Sequence, residues 1–200
     1  MKSVINVIII FMIILYFILG YLFGSIDFAY LVTYFLTGKD IREIGDKNPG
    51  AANVSREVGK IWGILVWLGD LIKGVIPMEI AAHFGITNII LLTVIGIFAI
   101  IGHCYPVFMK FKGGKGVATT GGVLAYIAPV ILPIGIILWF IVQTINDRSV
   151  KVLIFTIIAY FLCLFAIYPL HIVEELSVST VLLIITQIII NRDILKEFKF

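Results

Sequence analysis

The length of its apolar runs constrains this chain more than any other feature. They fall near Ile5–Phe23, Ile61–Ala82, Ile89–Phe108, Val152–Tyr168 and Ser177–Ile190, with a further apolar stretch from Val117 to Ile145. A helix needs about 20 apolar residues to cross the hydrocarbon core of a bilayer. With 61% hydrophobic and 14% charged residues and a mean hydropathy of +1.14, the chain reads as an all-α integral membrane protein. The alternating pattern of a membrane barrel is absent. No composition shift or repeat divides the sequence, so residues 1–200 read as one membrane-embedded domain.

Lys2 followed by the apolar run Val4–Leu19 has the outline of a signal peptide. No small-x-small cleavage site follows, and GYLFGSIDFAYL continues the apolar character, so a retained first span is expected. Positive charge then orders the spans, because cytoplasmic loops carry the excess of Lys and Arg. Lys39, Arg42, Lys47, Arg56 and Lys60 put the first loop inside; His83–Asn88 has no Lys or Arg and lies outside; Lys110, Lys112 and Lys115 return the chain inside. If Val117–Ile145 crossed once, Arg148, Lys151 and the C-terminal cations would lie outside. A hairpin broken at Ala128–Pro133, where two prolines interrupt helical hydrogen bonding, removes that conflict. The expectation is seven helical membrane segments, some short or broken, with the N-terminus outside and the C-terminus cytoplasmic. A single long tilted helix is the other reading of Val117–Ile145.

The unusual sequence collects on the cytoplasmic side. Gly38–Lys60 carries the turn-prone core NPGAAN, and Ala51–Val58 is suited to one or two helical turns bearing Arg56. A solvated basic loop that merely sets topology is the alternative. In the second long span, Asp70 and Lys73 share a helix face. Charges at membrane depth are costly and face the protein interior, so the pair is either structural or functional, and both remain open. FKGGKGVATTGG (Phe111–Gly122) places Gly113, Gly114 and Gly116 beside Lys112 and Lys115. Glycines let a backbone turn its N–H groups toward an anion, and a helix starting near Val117 adds the positive end of its dipole. The GxxxxGK[ST] pattern is absent, which argues against ATP. A phosphorylated ligand is expected; a flexible basic connector is the bland alternative.

His103, at the cytoplasmic end of its span, is placed to orient the loop or touch a ligand, while His83 and His171 read as outer-surface residues. Cys104 and Cys163 show no metal or disulfide spacing. The net charge of +3, interrupted by apolar spans, does not suggest nucleic acid. No nucleophilic triad or carboxylate pair is visible, so catalysis would rest on positioning and electrostatics.

GSIDFAYLV (Gly24–Val32), DIREIGDKNPGAANVSREVGK (Asp40–Lys60), GDLIKG (Gly69–Gly74) and GHCYPVFMKFKGGKGVAT (Gly102–Thr119) resemble, in matching order, the PlsY family of bacterial acyl-phosphate:glycerol-3-phosphate acyltransferases. The resemblance implies transfer of an acyl chain from acyl phosphate to the sn-1 hydroxyl of glycerol 3-phosphate, giving lysophosphatidic acid and phosphate. This is the first step of phospholipid synthesis, on the cytoplasmic face of the bacterial inner membrane. It implies no cofactor and no metal. The implied partners are the two substrates, membrane lipid and a soluble enzyme that makes acyl phosphate. The implied site combines Lys115, Arg56, Asn48, Asn53 and His103 as catalytic residues. Gly113, Gly114, Gly116, Val117, Lys112, Arg42, Ser25, Asp46, Ser149 and Asn191 are implied as substrate contacts.

The departures fall mainly on the acceptor side. Asp46 stands where the family has serine, and should repel phosphate unless paired with Lys47 or Arg42. Asp27 stands where proline is common. Val152 and Ile194 stand at positions where the family has polar side chains, and neither can hydrogen-bond through its side chain; Asn191 can. Three readings follow: the acyltransferase above, a relative with another or weakened acceptor site, and a binding or transport protein for anionic metabolites.

Overall fold

A computed structural model describes residues 2–129, 133 and 150–191. Among the described residues all regular structure is helical. The elements are α1 (Lys2–Gly24), α2 (Phe28–Thr37), a 3₁₀ turn (Ile41–Glu43), α3 (Ala51–Glu57), α4 (Lys60–His83), α5 (Ile89–Cys104), a second 3₁₀ turn (Val107–Met109), α6 (Val117–Ile127), α7 (Val150–Ile167) and α8 (Leu170–Ile190). Among the described residues, four stretches are long and apolar enough to cross a membrane: Val4–Thr37, Lys60–His83, Ile89–Met109 and Leu170–Ile190. Their exposed faces are apolar, as in α1, where Val7 and Phe11 point outward. This is the surface of a multi-pass membrane protein. The residues group into two units, Met1–Val123 and Leu124–Phe200.

In the first unit the expected opening span is extended and broken. The Ser25 hydroxyl donates to the Tyr21 carbonyl at 2.8 Å as α1 ends. Asp27 then accepts the Tyr30 N–H at 2.9 Å and starts α2, a role any short side-chain acceptor can fill at an N-cap. Gly38, at φ 68°, ends that helix in the left-handed conformation that glycine adopts without strain. Helix α5 stops at Cys104, short of the expected Phe108, because Pro106 cannot continue it.

Backbones approach closely where side chains are small. On α1, Gly20 and Gly24 lie against the carbonyls of Ile95 and Ala99 of α5; Gly102 of α5 lies against the Tyr21 carbonyl. Phe17 and Phe98 stack at 4.8 Å beside this seam. Small residues at such seams are what allow membrane helices to pack without a hydrophobic driving force. Gly74 of α4 meets Thr119, and Gly122 meets the Leu71 carbonyl, which docks the start of α6 on α4. Gly63 receives α3 through Ala51 and Ser55. A small core of Ala29, Ile41, Val54 and Val66 closes the space beneath the first loop.

Replacing Gly102 by valine forces branched carbons into backbone. The expected loss is about 1–3 kcal/mol or more, read as a lower thermal midpoint in detergent. An unchanged midpoint would mean the seam can open.

In the second unit, α7 and α8 are joined by a 2.7 Å hydrogen bond between the Tyr160 and Thr180 hydroxyls. Helix α8 begins at Leu170, earlier than the expected Ser177. Pro169 has φ −59°, already suited to helix entry, so His171, Glu174 and Glu175 ride the helix instead of a loop. The first arm of the expected hairpin ends at Ile127, before Ala128–Pro133. The second arm lies outside the described residues.

Candidate functional site

Two loops of the first unit meet at one end of its helices. The glycine loop starts where α5 ends. A helix terminus leaves carbonyls without intrahelical partners, and the loop doubles back to satisfy them. Gly113 N–H donates to Cys104 O at 3.1 Å and Gly114 N–H to His103 O at 3.2 Å. This corrects the expectation that both glycine N–H groups face a ligand. What faces outward is the start of α6: Gly116, at φ 76°, turns the chain so that the helix opens at Val117, as expected, with Val117 exposed and Lys115 exposed beside it. The first-turn N–H groups and Lys115 thus provide the positive end. Lys112 is exposed on the approach to the loop. Just upstream, Lys110 and Phe111 both adopt positive φ, 54° and 60°, which costs free energy in non-glycine residues.

The first loop is built, not merely solvated. Asn53 is fully buried on α3 and donates from its amide to the carbonyls of Ile41 (3.3 Å) and Ile44 (3.0 Å), while its Oδ1 accepts the Asp46 N–H at 3.2 Å. Asp46 Oδ1 accepts the Asn48 N–H at 3.0 Å. The other Asp46 oxygen pairs with Arg56 Nη2. The expected partners, Lys47 or Arg42, do not take it. Arg42 is held instead by Asp40, with Nε 3.0 Å from Oδ1, and by the Met109 carbonyl at 3.1 Å, over the face of Tyr30. The spacing Asp-x-Arg carries the signal for Asp40: it caps the 3₁₀ turn and holds the arginine.

Contacts join the loops at two places among others. One is Arg42 to Met109. Another is Gly114, packed so tightly on the Pro49 carbonyl that a β-carbon there would lie 2.8 Å from the oxygen. Asn48, Pro49 and the Asp46–Arg56 pair therefore belong to the same end of the first unit as the glycine loop. Arg56 and Asp46 are about half exposed, at 54% and 51%.

Below the loop, His103 is buried, with Nδ1 3.4 Å from Asp70 Oδ1, and Lys73 Nζ lies 2.8 Å from the same oxygen. Ser25 is fully buried, its hydroxyl turned to the Tyr21 carbonyl. His83 and His171 are exposed, as expected. Cys104 is buried and Cys163 partly so, both as free thiols. In the second unit Asn191 caps α8, donating to Gln187 Oε1 at 2.9 Å. Ser149, Ile194 and the Val152 side chain lie outside the described residues.

The hydrogen bond from Arg42, above all, holds the Asp40 carboxyl below the usual carboxylate range. A depressed folded pKa contributes stability that is complete above the unfolded carboxylate range and is lost as pH falls through the folded value. The difference in thermal midpoint between the wild type and Asp40→Asn should therefore shrink on acidification. A difference that persists into acid would break this link.

The family model for glycerol-3-phosphate acyltransferase matches residues 14–196. A glycerol-3-phosphate acyltransferase of Aquifex aeolicus (strain VF5) is 45% identical over 123 residues, 61% of this chain and 63% of that protein. One from Syntrophomonas wolfei subsp. wolfei is 46% identical over 112 residues, 56% of each. The matched stretch thus spans less than two thirds of these relatives' own lengths. A crystal structure of PlsY, described as an integral membrane glycerol 3-phosphate acyltransferase in its glycerol 3-phosphate form, superposes with a TM-score of 0.69 at 36% identity over 92% of both chains. Its lysophosphatidic acid form does so with the same score at 34% identity. With the glycine loop, the built first loop and a match over most of its length, the chain belongs to the glycerol-3-phosphate acyltransferase family.

Proposed function

We propose that this protein moves an acyl chain from acyl phosphate to the sn-1 hydroxyl of glycerol 3-phosphate, releasing lysophosphatidic acid and inorganic phosphate. The observation that carries this reading is the joining of the glycine loop and the Arg56 loop at one end of the first unit, through Gly114–Pro49 and Arg42–Met109. Lys115, the first-turn N–H groups of α6 and Arg56 hold the donor's phosphate. The sn-1 oxygen attacks the acyl carbon, the acyl C–O bond to phosphate breaks, and the phosphate leaves with the electron pair. The hydroxyl proton passes to a phosphate oxygen, so no protein nucleophile is needed. Stabilising the departing phosphate is then the main catalytic requirement. Asn48 lies at the lip of the site. Asn53 and Arg42, with their polar groups engaged, act by shaping the loops.

The same reading takes residues 1–200 as one membrane-embedded domain of seven segments, N-terminus outside and C-terminus cytoplasmic. The site then faces the cytoplasm from a bacterial inner membrane, supplied with acyl phosphate by a soluble enzyme. Ser149 and Asn191 are the candidates for acceptor contacts.

A second reading, an altered or weakened acceptor site, is favoured by Val152 and Ile194, which stand where the family has polar side chains; on the donor side, the Asp46 carboxylate lies on Arg56. A phosphate binding there must share or displace it. Removing that charge in Asp46→Asn should lower the KM for the phosphorylated substrate by about twofold to fivefold, the range of an exposed ion pair. A higher KM would mean that Asp46 aids binding.

The deciding experiment is phosphate release by purified protein in detergent, given palmitoyl phosphate with and without glycerol 3-phosphate. Release that depends on glycerol 3-phosphate, with lysophosphatidic acid as product, supports the first reading. Donor binding without that dependence rejects glycerol 3-phosphate as the acceptor.

A further inference from the structure

Directly beneath the glycine loop lies a polar cluster that the proposed reaction does not use. The side chains of Asp70, Lys73 and His103 are 3%, 2% and 7% exposed. Lys73 Nζ lies 2.8 Å from Asp70 Oδ1 and donates at 2.7 Å to the Ile26 carbonyl, in the break between α1 and α2. His103 Nδ1 lies 3.4 Å from the same Asp70 oxygen. The opposite edge of the imidazole, Nε2 and Cε1, faces Gly114 so closely that a β-carbon there would strike it. The carbonyl of His103 accepts the Gly114 N–H. One residue therefore meets the loop twice, by ring and by backbone, and its ring stands against a buried ion pair, with Nδ1 and Asp70 Oδ1 in contact but not hydrogen-bonded. An ion pair serving only to pack helices has no need of a third partner that reaches the loop.

We infer that Asp70 and Lys73 are positioning residues that act on the phosphate site through His103. The Ile26 carbonyl and Lys73 place the carboxylate; the carboxylate backs the imidazole by close contact and charge; the imidazole sets the height of Gly114, and with it Lys115 and the first turn of α6. This rests on the reading that the glycine loop holds the donor's phosphate. Small displacements of such groups are costly because electrostatic stabilisation depends on geometry.

The test is steady-state kinetics with palmitoyl phosphate and glycerol 3-phosphate, with thermal midpoints measured in the same detergent. His103→Ala and the charge-neutral pair Asp70→Asn/Lys73→Met should each raise the KM for palmitoyl phosphate about tenfold or more. His103→Gln, whose amide reaches the Nε2 edge, should recover part of the loss. Combining His103→Ala with the neutral pair should add little, because both act along one path. An unchanged KM in the neutral pair, or fully additive effects, would overturn the inference. If the neutral pair does not fold, Lys73→Arg replaces it, keeping the charge but changing the shape of the donor: a raised KM with an unchanged midpoint supports the inference, and an unchanged KM overturns it. Lys115→Ala run alongside separates the two levels. If it too is unchanged, the reading of the loop has failed; if it alone is impaired, only the inference has.

Discussion

Lys115→Ala should reduce turnover by about 100–1,000-fold, the cost of removing one preorganised stabiliser of a departing anion. The argument rests on position. Lys115 stands immediately before the turn at Gly116 that opens α6, so its charge adds to the N-terminal end of that helix. Arg56→Ala should fall in the same range, from the other loop. Both side chains are exposed, so neither substitution opens a hole in the core. The thermal midpoint should stay near that of the wild type, and circular dichroism should show the same helix content. Rates of phosphate release close to wild type in both variants would sink the site assignment, whatever the family. Loss in only one would say which loop holds the reacting phosphate.

Lys73→Met should be the most damaging single change to stability. It leaves the Asp70 carboxylate buried beside His103, with the Asp27 carboxyl also near it, and the Ile26 carbonyl without its donor. Breaking a buried ion pair by deleting one partner costs about 3–5 kcal/mol, mostly because the surviving charge stays buried. The comparison that isolates this cause is the double variant Asp70→Asn/Lys73→Met, which carries no such charge and should regain most of the lost midpoint. A double variant as unstable as the single would point to lost packing around the lysine stem.

Much of this architecture was legible because membrane physics writes long signals. Run length found four spans among the described residues, and Ala51–Val58 and Val117 marked the helix that carries Arg56 and the start of the helix behind Lys115. The motif order carried the family. What escaped was the choice among partners. Asp46 had Lys47, Arg42 and Arg56 within a short stretch of sequence, and the choice follows from Asp40 having already taken Arg42. Asn53 looked like a ligand contact because it is polar and sits in a motif. Its role is set by two carbonyls and an N–H that only the folded loop brings to it. The destination of the Gly113 and Gly114 N–H groups depends on where α5 runs out of its own donors and leaves carbonyls unpaired, a property of the helix end and not of the glycines. Asp27 stood out only as a departure from proline, yet both residue types can begin a helix.

The glycine seam between α1 and α5 bears on how a lipid reaches this protein. Carbonyl oxygens of one helix sit where the other has no side chain, so the two backbones leave no crevice between them. A hydrocarbon tail cannot part that pair from the side. Under the proposed reaction the acyl chain would reach its site by another way than between these two helices, whose backbones meet at Gly20, Gly24 and Gly102.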